Sequence, residues 1–178
     1  MEGNEARSPN NPRRRKEHRL PPEAYRGHQL VAFTACTRRR IRGLANAEIV
    51  AGMVPLLTRA TQDCGCTVPI YTFMPDHLHV LILGTRDDSD AKSAMDEFKT
   101  LSGKWLARRG SRVAWQKNYY DRIIDGYGRP DFQIPYTALN PVRADLVPAP
   151  LDWPYTGSIG HDLQVVLGIK RRGEPTGS

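Results

Sequence analysis

The chain has 178 residues and a formal net charge of +7 at pH 7, with a pI near 9.6. That length suits one domain with tails and an ordinary hydrophobic core, and the charge points to an acidic partner, nucleic acid first and an anionic membrane surface second. No apolar run approaches the ~18 residues of a membrane span, and the N-terminus lacks the apolar core of a signal peptide, so the expectation is a soluble, cytoplasmic protein.

Residues 1–26, with "SPNNPRRRKEHRLPP", read as a disordered basic tail. His28 to Thr37, "HQLVAFTACT", has the β-branched and aromatic content of a strand and ends at Arg38, Arg39 and Arg40. Asn46 is placed to cap a helix whose apolar positions are Ile49, Met53, Leu56 and Ala60, with Val50 and Leu57 beside them. Cys64-Gly-Cys66 lacks the second pair of a zinc site, and the three cysteines form no disulfide-like framework. "CTVPIYTFM" predicts a second strand, in which Pro69 implies an edge or a bulge. After a turn at Pro75-Asp76, "HLHVLIL" predicts a third. Ser89 is expected to cap a long helix to about Arg109, with a stripe of Ala94, Phe98, Leu101 and Trp105. "AWQKNYYDRIID" predicts a fourth strand, and about Arg129 to Leu146 a final, interrupted helix. The expected domain spans residues 27–155, with a C-terminal tail over 156–178.

This order is the split βαβ, ferredoxin-like arrangement, an α+β fold: an antiparallel sheet with two helices on one face. The last helix is extra to that plan and falls to the other face.

Side chains alternate along a strand, so His77 and His79 share one face while Leu78, Val80 and Ile82 share the other. Two imidazoles at i and i+2 can converge on one divalent ion. They can equally be two half-buried histidines satisfied by ordinary hydrogen bonds. The preceding turn puts them at the rim of the sheet, where a ligand can reach. In "DFQIPYTALNPVRADLV", Tyr136 and Asn140 lie one helical turn apart on a common face. Pro141 is expected to break the helix there and leave carbonyls unpaired. Pro135 is tolerated if the helix has only just begun. A core tyrosine and a capping asparagine is the plainer account of that pair.

Together these segments resemble a known family. "MPDHLHVLI" is similar to the His-hydrophobe-His signature of the HUH single-tyrosine transposases. "ALNPVRADLV" and "AWQKNYYDRII" resemble blocks of their subgroup associated with repetitive extragenic palindromes, the REP-associated tyrosine transposases. The resemblance runs in order from about Gly27 to Trp153. It departs at Asp76 (usually Asn), at Asp145 (usually Gly) and in the proline before Tyr136. It implies His77, His79 and Asn140 as metal ligands, with Mg²⁺ or Mn²⁺ as cofactor, the imidazoles favouring Mn²⁺. It implies Tyr136 as a nucleophile forming a 5′-phosphotyrosine with DNA; set against the competing Tyr119, Tyr120 and Tyr127, only Tyr136 has an amide one helical turn away. The implied substrate is single-stranded DNA with hairpin structure, handled by a monomer or a homodimer.

Arg38, Arg39, Arg40, Lys99, Lys104 and Arg143 are the expected DNA contacts, read either as a phosphate-tracking surface or as solvated charge. Trp115 and Trp153 could stack bases or pack in the core. Two other readings remain open at this level. One is a ferredoxin-like module that binds RNA or single-stranded DNA without cutting. The other is a relic that keeps a metal site and has lost cutting.

Overall fold

The structure, a computed structural model, describes residues 21–124 and 130–169. Five strands form one sheet: β1 (Leu30–Cys36), β2 (Cys66–Phe73), β3 (His77–Gly84), β4 (Tyr120–Ile123) and β5 (Thr156–Ile159). Their spatial order is β4-β1-β3-β2-β5, and every pairing is antiparallel. Helix α1 (Ala47–Asp63) joins β1 to β2, and α2 (Ala91–Arg108) joins β3 to β4. The first four strands and two helices thus have the expected split βαβ connectivity.

Alternation divides the sheet's side chains between two cores. Val31, Phe33 and Ala35 of β1 and Leu78, Val80 and Ile82 of β3 pack with Met53 and Leu57 of α1 and Met95 and Phe98 of α2. The opposite face holds a smaller cluster of Leu30, Ile70, Leu81 and Ile124, which α3 (Pro130–Ala138) covers with Ile134 and Ala138. The β2 register shifts between Thr67 and Ile70, around Pro69. This is a bulge inside the sheet rather than an edge, because β5 pairs with the far side of β2. The extra residue resets the alternation, so Val68 and Phe73 both face α1 and α2.

Asn46 caps α1 as expected, its Oδ1 accepting from the Glu48 and Ile49 amides. The buried stripe is Val50, Met53, Leu57 and Ala60, and Ile49 and Leu56 lie at its margin. Gly52 lies so close to Trp105 that an added Cβ would overlap the indole. Ser89 does not cap α2. That role falls to Asp90, whose carboxylate accepts from the Ser93 amide. The buried Ser89 hydroxyl instead donates to the Gly65 carbonyl and accepts from the Thr85 and Arg86 amides, closing the loop before the helix.

The ordered fold also overruns both expected tail boundaries. Tyr25 is buried in the main core, its hydroxyl 2.5 Å from Asp121 Oδ2. At the other end β5 and a one-turn α5 (Leu163–Val166) continue the domain beyond residue 155. The rest of the two tails and Tyr127 lie outside the described residues. Among the described residues no helix is long and apolar enough to cross a membrane.

Candidate active site

One rung of the sheet runs Tyr120, Thr34, His79, Thr72 and Thr156, from β4 to β5. All five residues are polar or phenolic. Thr34 Oγ1 is 3.0 Å from His79 Nδ1, and Thr72 Oγ1 is 3.1 Å from Thr156 Oγ1. Thr72 also donates to the Thr137 carbonyl of α3 at 3.4 Å. The helix therefore sits over the rung that carries His79.

His77 and His79 turn their rings toward each other. Their Nε2 atoms are 3.0 Å apart and the ring planes are near perpendicular, at 88°. His77 Nδ1 lies 2.6 Å from Asp76 Oδ1, and Asp76 Oδ2 is 3.5 Å from the Arg40 guanidinium. An acceptor carboxylate fixes a proton on His77 Nδ1, so in the neutral ring His77 Nε2 presents a lone pair. The state of His79 turns on Thr34. If the threonine hydroxyl donates to Nδ1, His79 Nε2–H bonds to His77. If it accepts from Nδ1–H, both Nε2 lone pairs face one another, an arrangement that a cation between them stabilises. Burial first, then His77 and Arg40, push the His79 pKa down to about 4. The ring is accordingly neutral at pH 7, as a metal ligand must be.

This donor set fits a divalent ion. Two ligands at right angles, each ~2.1 Å from a shared ion, are about 3.0 Å apart, the separation observed here. Among the described residues no group of three or more His, Cys, Asp or Glu is arranged to hold a metal. A third protein ligand would have to come from another residue type, such as the Asn140 amide.

Pro130 opens α3, so Pro135 lies in the helix interior rather than in its first turn. The break comes at Leu139, ahead of α4 (Asn140–Arg143). Pro141 has no N–H to offer the Thr137 carbonyl four residues earlier. That carbonyl accepts instead from Asn140 Nδ2 at 3.1 Å and from Thr72. Asn140 Nδ2 also lies 3.4 Å from the Tyr136 carbonyl. The amide nitrogen is thus spent on the broken turn. Asp145, where the resembling family carries Gly, has φ +54°. That is the left-handed conformation glycine adopts freely and Asp tolerates.

Tyr136 and His79 line one cleft of about 190 Å³, together with Thr34, Tyr120, Arg122 and Gln133. His77 and Asn140 are not in its lining. Each stands one contact away, His77 against His79 and Asn140 against Thr137. Tyr136 is 39% exposed, and the Arg143 guanidinium lies 4.5 Å over its ring. Of its competitors, Tyr119 is buried against Phe33 and Tyr120 is 64% exposed.

The expected DNA contacts scatter. Arg38–Arg40 form a tight turn just past β1 rather than its end, with φ +58° at Arg39 and +54° at Arg40. All three are exposed, and Arg40 lies against Asp76. Lys99 is committed to structure: its ammonium donates to the Gln116 and Lys117 carbonyls at 2.9 and 3.0 Å. Lys104 is exposed on α2, in the helical layer on the far side of the sheet from Tyr136. Trp115 donates to Ser102 and Trp153 to the Phe73 carbonyl, so both indoles are built into the fold. The hydroxyl of Thr34 escaped sequence reasoning. The signal was its place two strand residues before Cys36, which only the strand register could align with a histidine.

No family model matches the chain, and no curated protein does. Among solved structures, the chain is similar to a REP-associated tyrosine transposase bound to a REP hairpin. They share 21% identity and a TM-score of 0.66, over 83% of this chain and 86% of that one. A candidate transposase of Deinococcus radiodurans matches at 16% identity and a TM-score of 0.46, over 60% of this chain and 88% of that one. The fold is therefore that of the REP-associated tyrosine transposase.

Proposed function

We propose that this chain is a metal-dependent endonuclease and strand transferase for single-stranded DNA at hairpin-forming sites. The observation that carries the reading is that an exposed phenol, Tyr136, shares a cleft with a histidine whose Nε2 faces a second imidazole at 3.0 Å. The hairpin-bound neighbour of the same fold supports DNA of that shape as the substrate. The catalytic unit we assign is residues 27–155, extended by β5.

A divalent ion held by His77, His79 and Asn140 would supply Lewis-acid polarisation of a phosphoryl oxygen. Asp76 and Thr34 keep the two imidazoles oriented with their Nε2 atoms inward. Tyr136 attacks phosphorus from the cleft, forming a phosphotyrosine on the 5′ side as the bond to the 3′ oxygen breaks. The phenol gives up its proton, and the released 3′ oxygen takes one up. The phosphotyrosine retains the bond energy, so a second 3′-hydroxyl can reverse the step and join a new end.

Incubation with a labelled single-stranded hairpin and Mn²⁺ tests this. A denaturant-resistant protein–DNA adduct, absent in Tyr136→Phe, is the expected result. No adduct with any divalent ion, alongside retained DNA binding, favours a non-catalytic binding module.

A further inference from the structure

Tyr120 is a large, exposed side chain that the strand-transfer chemistry leaves unused. It stands on β4 at the outer end of the His79 rung, two strand spacings, roughly 10 Å, from the histidine backbone. Asp121 points the opposite way and is held by Tyr25. Tyr120 and Arg122 therefore share the face that α3 occupies, both exposed and both lining the Tyr136 cleft.

That cleft does not end at Tyr120. A second cleft, of about 270 Å³, is lined by residues Gln116 to Tyr120 and shares Tyr120 with the first. A third, of about 330 Å³, shares Gln116 and Lys117 with the second and reaches Lys99 and Thr100 on α2. The three adjoin one another through these shared residues and mark out a track from α2 to Tyr136. Lys99 braces its wall through the Gln116 and Lys117 carbonyls. Two carboxylates line it and both are engaged: Asp96 is paired with Lys92 at 2.5 Å and accepts from Tyr119 at 2.8 Å, and half-buried Asp121 accepts from the Tyr25 hydroxyl. The exposed charges left along the track are Lys117 and Arg122, both positive.

We infer that this track carries the single strand flanking the reaction site, and that Tyr120 is the platform on which one of its bases stacks. An exposed ring between two cations, along a line of adjoining clefts, is the arrangement that grips single strands with little regard to sequence. This inference rests on single-stranded DNA being the substrate. Tyr120 acts here by stacking, not as a nucleophile.

Binding of dT12 and of an abasic 12-mer with the same phosphates separates base stacking from charge. Fluorescence anisotropy on the full chain carrying Tyr136→Phe, which prevents any covalent step, reads both. Tyr120→Ala is expected to weaken dT12 binding about tenfold and leave the abasic strand unchanged. Tyr120→Phe is expected to bind both as the parent does. Equal losses on both strands, or no loss on dT12, would overturn the inference, as would a parent protein that does not distinguish them. In the otherwise native chain, Tyr120→Phe must still form the Mn²⁺-dependent adduct, since its loss would make Tyr120 a reacting group. An absent adduct with intact Tyr120-dependent binding overturns the nuclease reading alone. An adduct dependent on Tyr136 with no Tyr120 effect overturns the track alone.

Discussion

The guanidinium of Arg143 lies 4.5 Å over the ring of Tyr136. The two residues sit on either side of the break at Leu139, Tyr136 on α3 and Arg143 on α4. Stacking ties the short helix to the long one and holds the phenol at the mouth of its cleft. Arg143→Ala is expected to slow adduct formation about tenfold at saturating oligonucleotide, because a misplaced nucleophile loses in-line geometry. Its effect on stability should stay near the ~0.5–1 kcal/mol of an exposed cation–π pair. Single-turnover adduct kinetics and urea melts on the same variant check both.

Thr34 and Asp76 should matter for metal binding before any chemistry occurs. Thr34→Val removes the hydroxyl beside His79 Nδ1, and Asp76→Asn removes the acceptor charge beside His77 Nδ1. Loss of such a partner typically costs about 10–100-fold in metal affinity. Titration of Mn²⁺ followed by electron paramagnetic resonance reads this without DNA. Unchanged affinity in both variants would remove these residues from the site.

Metal-free protein should lose stability in mild acid because of His79. Its folded pKa of about 4 lies below the ordinary value near 6.5. Between those values the unfolded chain binds more protons, so stability falls as pH drops from 6.5 toward 4 and levels off below. The loss is on the order of 3 kcal/mol. Urea midpoints in EDTA at pH 7 and pH 4.5 should converge in His79→Gln relative to the parent.

Asn140→Ala should cost stability as well as activity. It deprives the Thr137 carbonyl of its closer donor and leaves only the longer bond from Thr72. A lost hydrogen bond of this kind costs about 1 kcal/mol, or roughly 2–4 °C in Tm for a chain of this size. Calorimetry in EDTA isolates that structural cost from any lost metal ligation.

Gly52→Ala should invert the usual helix rule. In an open helix interior the change gains up to ~1 kcal/mol. Here the new methyl meets the Trp105 indole, so α1 and α2 must part and Tm should fall. Gly52→Ala combined with Trp105→Leu should recover much of the loss.

The alternation in "HLHVLIL" was enough to place both histidines on the face away from α1 and α2, since period-two patterning and face selection are one fact in a strand. The proline rule likewise placed the helix break within two residues of its position. What escaped depended on chain segments far apart in sequence. Thr34 meets His79 only through the β1–β3 register, 45 residues away. Ser89 looked like a cap because capping is local, yet its hydroxyl serves the Gly65 carbonyl 24 residues back. Lys99 read as a phosphate contact because its carbonyl partners lie beyond the end of its own helix. β5 was missed because a four-residue strand, "TGSI", carries almost no periodicity of its own.

The sheet narrows toward both sides. Its three inner strands are seven or eight residues long, whereas β4 and β5, the outermost, have four each. An unfolded neighbour seeking to extend the ladder would find too few main-chain groups on either flank to hold it. Short flanks of this kind are a known defence against edge-to-edge aggregation, and they leave the sheet of this basic chain little edge to offer a neighbour.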